Sequence, residues 1–593
     1  MELPGEVTDR SVLIYMTGAL CTQPAQVLQS WQARGVIQSF LQHLRRRESV
    51  ELRLLGETDT QGSVHSPSPA AQRLARLLGL LVDMPVDEVR MRAPDVADLV
   101  QEPLGLAELV EGLYDHWRGL ERYLIFEGKA DDSRDSALEG HMSFVYNNQD
   151  LNALVREAYR RIERHLRGYW PRVYRQVPAG ANLSLLIERI NWACPGGLYQ
   201  PLRDIAMVRL ALLSPPVLLY PKRNRRQGKF SQATQHPLER AYLDPSRWLC
   251  LPLRVGELCL FFFFDREYLS LATSLVNLFE VSGHEEARRK PDGIVLFGLP
   301  PESMSMEQTT FYVDEEEDIV VGAVARSDEV DYFGYCKKMM LTLHNIIMMR
   351  RGRLPVHGAM CRVRLRRGPD VSVVIVGDSG AGKSETLEAF RVLADEWISD
   401  MTIVFDDMGS LAMAPGPKVL GYGTEIGAFV RLDDLDPGYA FGHFDRSIFM
   451  NPHRQNARVV LPITEYSDVV AGYPIDLILY ANNYEPVTDE TPAVEFFADA
   501  ARALEVFRTG YRQDKGTTDE RGLVRTYFAN PFGPEQLPEL HEPLAQRYFA
   551  AAQEAGVRLG QLRTRLGIEG WEQEGPRQAA EALFRQLMVE TGE

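Results

Sequence analysis

The stretch Gly377-Asp378-Ser379-Gly380-Ala381-Gly382-Lys383-Ser384 constrains this chain more than any other. Two glycines separated by four residues, then lysine and a hydroxyl residue, form a phosphate-loop pattern, which acts only between a strand and a helix. The flanks fit. Val371 to Val376 is an apolar, β-branched run that predicts a buried strand, and Glu385 to Ala394 carries apolar residues at helical spacing. Glycines let successive backbone N–H groups turn toward phosphate oxygens, and the helix start adds the positive end of its dipole. Lys383 then reaches the β- and γ-phosphates and Ser384 holds Mg²⁺. The apolar run Met401 to Phe405, followed by Asp406 and Asp407, reads as a strand whose carboxyl end delivers the Mg²⁺-orienting carboxylates beside the nucleotide.

With 593 residues the chain exceeds one hydrophobic core. Three segments are expected: a mainly helical region 1–140, a mixed α/β region 141–330 suited to a substrate or partner, and a nucleotide-binding catalytic region 331–593 with a helical tail. Within the first, Ala71 to Leu81 and Leu106 to Tyr123 read as helices; Gly128 to Gly140 reads as a loop before a helix over Leu151 to Leu166. Leu251 to Phe264 and Ile294 to Phe297 read as strands, and Asp314 to Asp318 as an exposed turn. The loop Lys222 to Lys229 packs five cations into eight residues, a composition that either receives a phosphorylated or carboxylated group or lies solvated on the surface.

The net charge of −17 argues against a general nucleic-acid or anionic-membrane partner. Six scattered cysteines (Cys21, Cys194, Cys250, Cys259, Cys336, Cys361) suggest neither a disulfide framework nor a zinc site. No secretory signal and no spanning apolar segment is read, so a cytoplasmic protein is expected.

Taken together, these motifs resemble the superfamily of ATP-dependent phosphoenolpyruvate carboxykinases and HPr kinase/phosphorylases. Gly377 to Glu385 and Val356-His357-Gly358 look like the HPr kinase form. Lys337-Lys338, Gln455 to Ile463 around Arg458, Thr509-Gly510-Tyr511, Gly516 to Gly522 and Phe528 to Phe532 resemble carboxykinase segments in the same order. The resemblance covers residues 331–550 and hardly touches the first 330.

It implies an α/β, carboxykinase-like nucleotide-binding domain preceded by a largely helical or mixed region, with ATP and Mg²⁺ as cofactors and Mn²⁺ at a second site. Gly377, Asp378, Ser379, Gly380, Ala381, Gly382, Lys383, Ser384 and Glu385 would hold the phosphates, and Arg521 would pack near the base. Ser384 and Asp406 would support Mg²⁺; Lys338, His357 and Asp407 would match transition-metal ligands. A ligating lysine must be neutral, which burial and the neighbouring Lys337 favour. Arg458 would stabilise the transferring phosphoryl group, with Glu385 a candidate base.

The Gly-Arg-Ser-Pro-Lys-Asp-Lys segment by which carboxykinases hold their substrate is not found, so the acceptor stays open. The leading expectation is an ATP-dependent phosphotransferase acting on a small-molecule or protein acceptor. The alternatives are a divergent phosphoenolpyruvate carboxykinase and a nucleotide-gated assembly protein without turnover.

Overall fold

The structure is a computed structural model. It describes residues 5–16, 21–56, 59–128, 134–170, 172–173, 177–226, 229–304, 307–366, 369–393, 397–435, 442–514 and 522–590. It is mixed α/β, and the chain divides into two compact units: residues 1–189 with 206–217, and residues 190–205 with 218–593.

In the first unit five strands pair in the order Glu6–Val7, Ser11–Met16, Glu121–Glu127, Leu183–Glu188, Ala206–Leu213. Its helices Trp31–Arg46, Pro69–Asp83, Pro103–Gly119 and Arg134–Arg167 bury leucine and alanine stripes in a common core. The helix at Pro69 starts where it does for a local reason. Ser68 accepts a hydrogen bond from the Ala71 N–H, and proline at the first position gives up a donor that would have no helical partner.

The second unit contains two large sheets. In one, Leu258–Asp265 lies between antiparallel Trp248–Val255 and parallel Gly293–Leu299, which is followed by Ile319–Ala325 and Thr309–Asp314. With neighbours on both edges and both faces covered, four consecutive phenylalanines, Phe261 to Phe264, are wholly buried. The other sheet has eight strands in the order Tyr473–Pro474, Lys418–Gly423, Ile398–Ala414, Leu354–Leu365, Asp370–Val376, Leu477–Asn482, Arg558–Arg563, Val494–Phe496. The helix Phe333–Arg350 contacts strands of both sheets, which explains why it is apolar nearly all round and why its Lys337 is buried. On the other sheet's far side, the helices Lys383–Val392 and Glu574–Glu590 pack together, with the Phe390 and Phe584 rings 4.9 Å apart, edge to face.

Several expectations are corrected. The boundaries at 140 and 330 fall inside compact units: Arg134–Arg167 is one helix, so the predicted loop is helical from Arg134, and 218–330 belongs with the phosphate-loop region. The segment after Gly119 is a strand, not a helical continuation, because Leu120 ends the helix in extended backbone and Glu121–Glu127 joins the sheet. The tail is not wholly helical, since Arg558–Arg563 completes the sheet beside Leu477–Asn482. No described helix is long and apolar enough to cross a membrane.

Candidate active site at the phosphate loop

Asp370–Val376, Gly377 to Gly382 and Lys383–Val392 form strand, loop and helix in succession. Gly380 and Gly382 have φ of +76° and +97°, a left-handed region that side-chain-bearing residues rarely enter. A Cβ on Gly382 would lie 2.7 Å from Thr564 Cβ and Oγ1. The loop is pinned through its carbonyls: Gly380 O accepts from Asn483 Nδ2 at 2.8 Å, and Ala381 O from Thr564 Oγ1 at 2.8 Å. The first N–H groups of a helix have no intrahelical acceptor by construction, and Lys383, Ser384 and Glu385, which open this helix, line the cavity.

Asp378 anchors the loop from behind. Its carboxylate accepts from the Ser379 N–H at 2.7 Å and from Arg512 Nε and Thr526 Oγ1 at 3.0 Å each, while Arg512 also reaches Asp514 at 3.2 Å. Burial works to raise its pKa, but His357 and Arg512 outweigh it and hold the carboxyl below the usual range.

The paired aspartates sit in the middle of a long strand, Ile398–Ala414, rather than at a strand's carboxyl end as the sequence suggested. They reach the site because this strand runs antiparallel to Leu354–Leu365, which aligns Asp407 with Gly358 and Gly358 with Val376, the last residue before the loop. Successive side chains of a strand point opposite ways. Asp406 accepts from Ser384 Oγ at 2.8 Å; Asp407 meets Lys337 Nζ at 2.6 Å, Lys338 Nζ at 2.6 Å and His357 Nε2 at 3.0 Å.

This second cluster is electrostatically demanding. Burial pushes the Lys338 ammonium down to about 8, Asp407 pulls it back up, and Lys337 adds to the fall. Lys337 is pushed the other way: burial opposes its charge, and Asp407 with Glu425 outweighs burial. Asp407 would be raised by burial but is held well below the carboxylate range by Lys337, Lys338 and His357. Glu425, wholly buried 3.2 Å from Lys337, is pushed up to about 8 by burial. Burial, then Lys383, push the His357 imidazole below its ordinary value while Asp407 pulls it back up, and its Nδ1 lies 2.7 Å from Ala529 O.

Lys337, Lys338 and Asp407 face a cavity of about 240 Å³ in the second unit, with His357 and Glu425 buried behind them. Its walls carry the cations Arg226, Lys337, Lys338, Lys383, Arg391, Arg431 and Arg458 against the carboxylates Glu385, Glu388, Asp406 and Asp407, with Tyr332, Phe429 and Phe532 as apolar surface. In a chain of net charge −17 this is a concentrated positive site. Arg458 Nε is buried with no hydrogen-bond partner among the described residues.

Lys338, His357, Lys383, Ser384, Glu385, Asp406, Asp407 and Arg458 are therefore brought together, and Asp378 serves behind the loop. Arg521 lies outside the described residues. Among those described, no group of three His, Cys, Asp or Glu side chains is arranged around one point; the Lys338, His357 and Asp407 set depends on its lysine. The sequence missed Glu425, Arg431, Asn483, Arg512 and Thr564, which belong to segments 40 to 180 residues from the loop and carry no local signature. No protein-family model and no curated protein matches the chain.

Proposed function

We propose that the chain is an ATP-dependent phosphotransferase with a carboxykinase-like phosphate-loop domain. The observation that carries the reading is the meeting of Lys383, Ser384 and Asp406 in one positively charged cavity at the end of the loop strand. Phosphoryl transfer needs positioning and charge neutralisation more than covalent help, and the cavity is rich in the groups that supply both.

In this reading the backbone N–H groups of Gly382 to Glu385 and the Lys383 ammonium hold the nucleotide phosphates. Ser384 and Asp406 would hold Mg²⁺, and Lys338, His357 and Asp407 offer a nitrogen and oxygen donor set that would suit Mn²⁺. Bound metal supplies charge neutralisation on the phosphates. Lys338 fits a ligand role because its ammonium is already depressed toward neutrality. The acceptor's hydroxyl oxygen attacks the γ-phosphorus as the bond to the β–γ bridging oxygen breaks. ADP leaves, and Glu385 takes the hydroxyl proton. Arg458 balances charge on the transferring group.

The test follows the terminal phosphate of γ-labelled ATP in the presence of Mg²⁺ and Mn²⁺, with oxaloacetate and with fractionated extract as acceptor sources. Lys383→Ala serves as the control. Label in phosphoenolpyruvate would instead support the divergent carboxykinase.

A further inference from the structure

The cationic loop after Pro221 divides its charges unequally. Lys222 pairs with Asp328 at 2.5 Å, Arg223 with Glu329, and Lys229 with Glu535 at 2.7 Å. Arg226 goes elsewhere: it lines the phosphate-loop cavity, its guanidinium 5.3 Å from the Phe230 ring centre and 5.2 Å from that of Phe532.

The loop is also fastened at its midpoint. Asn224 Nδ2 donates to Gln455 O at 3.1 Å, Asn224 O accepts from Asn456 Nδ2 at 2.8 Å, and its side-chain oxygen accepts from Asn451. Those partners lead directly into Arg458, so the segment carrying Arg226 is bolted to the segment carrying Arg458. Both arginines lie close enough to the buried Tyr332 hydroxyl to oppose the upward pull of burial on it.

A third guanidinium joins them. Arg431 and Arg458 are directly opposed across the antiparallel pair Gly427–Arg431 and Arg458–Pro462, and both line the cavity. Like charges directly opposite on neighbouring strands are destabilising. Arg431 also reaches Asp433 at 3.7 Å, so the pair is already partly compensated, and an anion between the two guanidiniums would add to that.

Resting on the phosphotransferase reading, we propose that Arg226 and Arg431 receive a phosphate group of the acceptor, with Arg458 shared between it and the transferring group; the acceptor is a small phosphorylated molecule bearing the hydroxyl to be modified. Three guanidinium forks brought from one loop and two strands suit a tetrahedral dianion; a planar carboxylate is filled by one fork. The aromatic faces of Phe230 and Phe532 hold the Arg226 guanidinium at the cavity wall.

The experiment uses the full chain saturated with Mg²⁺ and a non-hydrolysable ATP analogue. Inorganic phosphate and, separately, malonate are titrated in by calorimetry. Phosphate should bind and malonate should bind about tenfold more weakly, a gap of about 1.4 kcal/mol. Arg226→Gln should weaken phosphate by about tenfold and leave analogue affinity within about twofold. Asn224→Ala, which unbolts the loop and keeps every cation, should weaken phosphate in the same direction, and Arg226→Lys should fall between.

Analogue binding without phosphate binding would overturn the acceptor assignment alone. So would equal affinity for malonate, or an Arg226→Gln loss shared equally by the analogue. Failure of the analogue itself to bind would remove the nucleotide reading and the acceptor assignment with it.

Discussion

Replacing Asp378 by asparagine removes one charge at the back of the phosphate loop and keeps its shape. The wild-type carboxylate is 5% exposed and compensates Arg512, which is 1% exposed. Breaking a buried ion pair by removing one partner costs about 3–5 kcal/mol, because the other charge is left uncompensated. Here Asp514 remains 3.2 Å from the guanidinium, and the single amide oxygen of asparagine can still accept from Thr526 or from Ser379, which the carboxylate serves with different oxygens, so the lower end, about 3 kcal/mol, is expected. Urea unfolding of wild type, Asp378→Asn, Arg512→Met and the double variant would form a cycle, with a coupling of about 1.5 kcal/mol or more expected. The folded-state pKa of Asp378 is lowered, so its stabilisation is complete above the ordinary aspartate range and fades as pH falls through it. The Asp378→Asn penalty should therefore shrink below about pH 4. A loss under about 0.5 kcal/mol at neutral pH, or additive single effects, would refute the anchoring role.

Gly382→Ala forces a side chain into a backbone with φ of +97° and onto the buried Thr564 at 2.7 Å. Strain and overpacking together should cost about 2–4 kcal/mol in urea unfolding, with nucleotide affinity falling as the loop shifts. Glu425→Gln probes the second cluster by pH. The folded carboxyl stays protonated up to about 8, whereas an unfolded one ionises from its ordinary value of 4.5. Between those values the unfolded state has released a proton that the folded state retains, so wild-type stability falls as pH rises. Glutamine lacks that proton, and its stability advantage over wild type should widen between about pH 5 and pH 8. A constant gap would contradict a neutral buried Glu425.

The phosphate loop was legible because its function is written in consecutive residues: glycine positions, lysine and serine, with an apolar strand before and a helix after. The buried strand Leu258–Asp265 and the exposed turn between Asp314 and Ile319 were legible for the same local reason. Asp406 and Asp407 are legible as site residues, but the sequence ends their strand too early, because two consecutive acids look like a strand end. They are tolerated inside it since Ser384 and the two lysines compensate them. The residues that hold the loop were not legible at all. Thr564, Asn483 and Arg512 are ordinary in their own segments and acquire a role only when the sheet brings the Leu477–Asn482 and Arg558–Arg563 strands beside the loop. The strand Glu121–Glu127 was hidden by a preceding helix whose apolar pattern runs straight into it.

The most direct test of the central claim is the fate of the terminal phosphate of ATP. The purified chain, γ-labelled ATP and both metals are incubated with oxaloacetate and with extract separated into small-molecule and protein fractions. The account predicts label in a small phosphorylated molecule other than phosphoenolpyruvate, and none with Lys383→Ala. ATP bound tightly with no label moved in any fraction would contradict it and leave a nucleotide-gated assembly protein in its place.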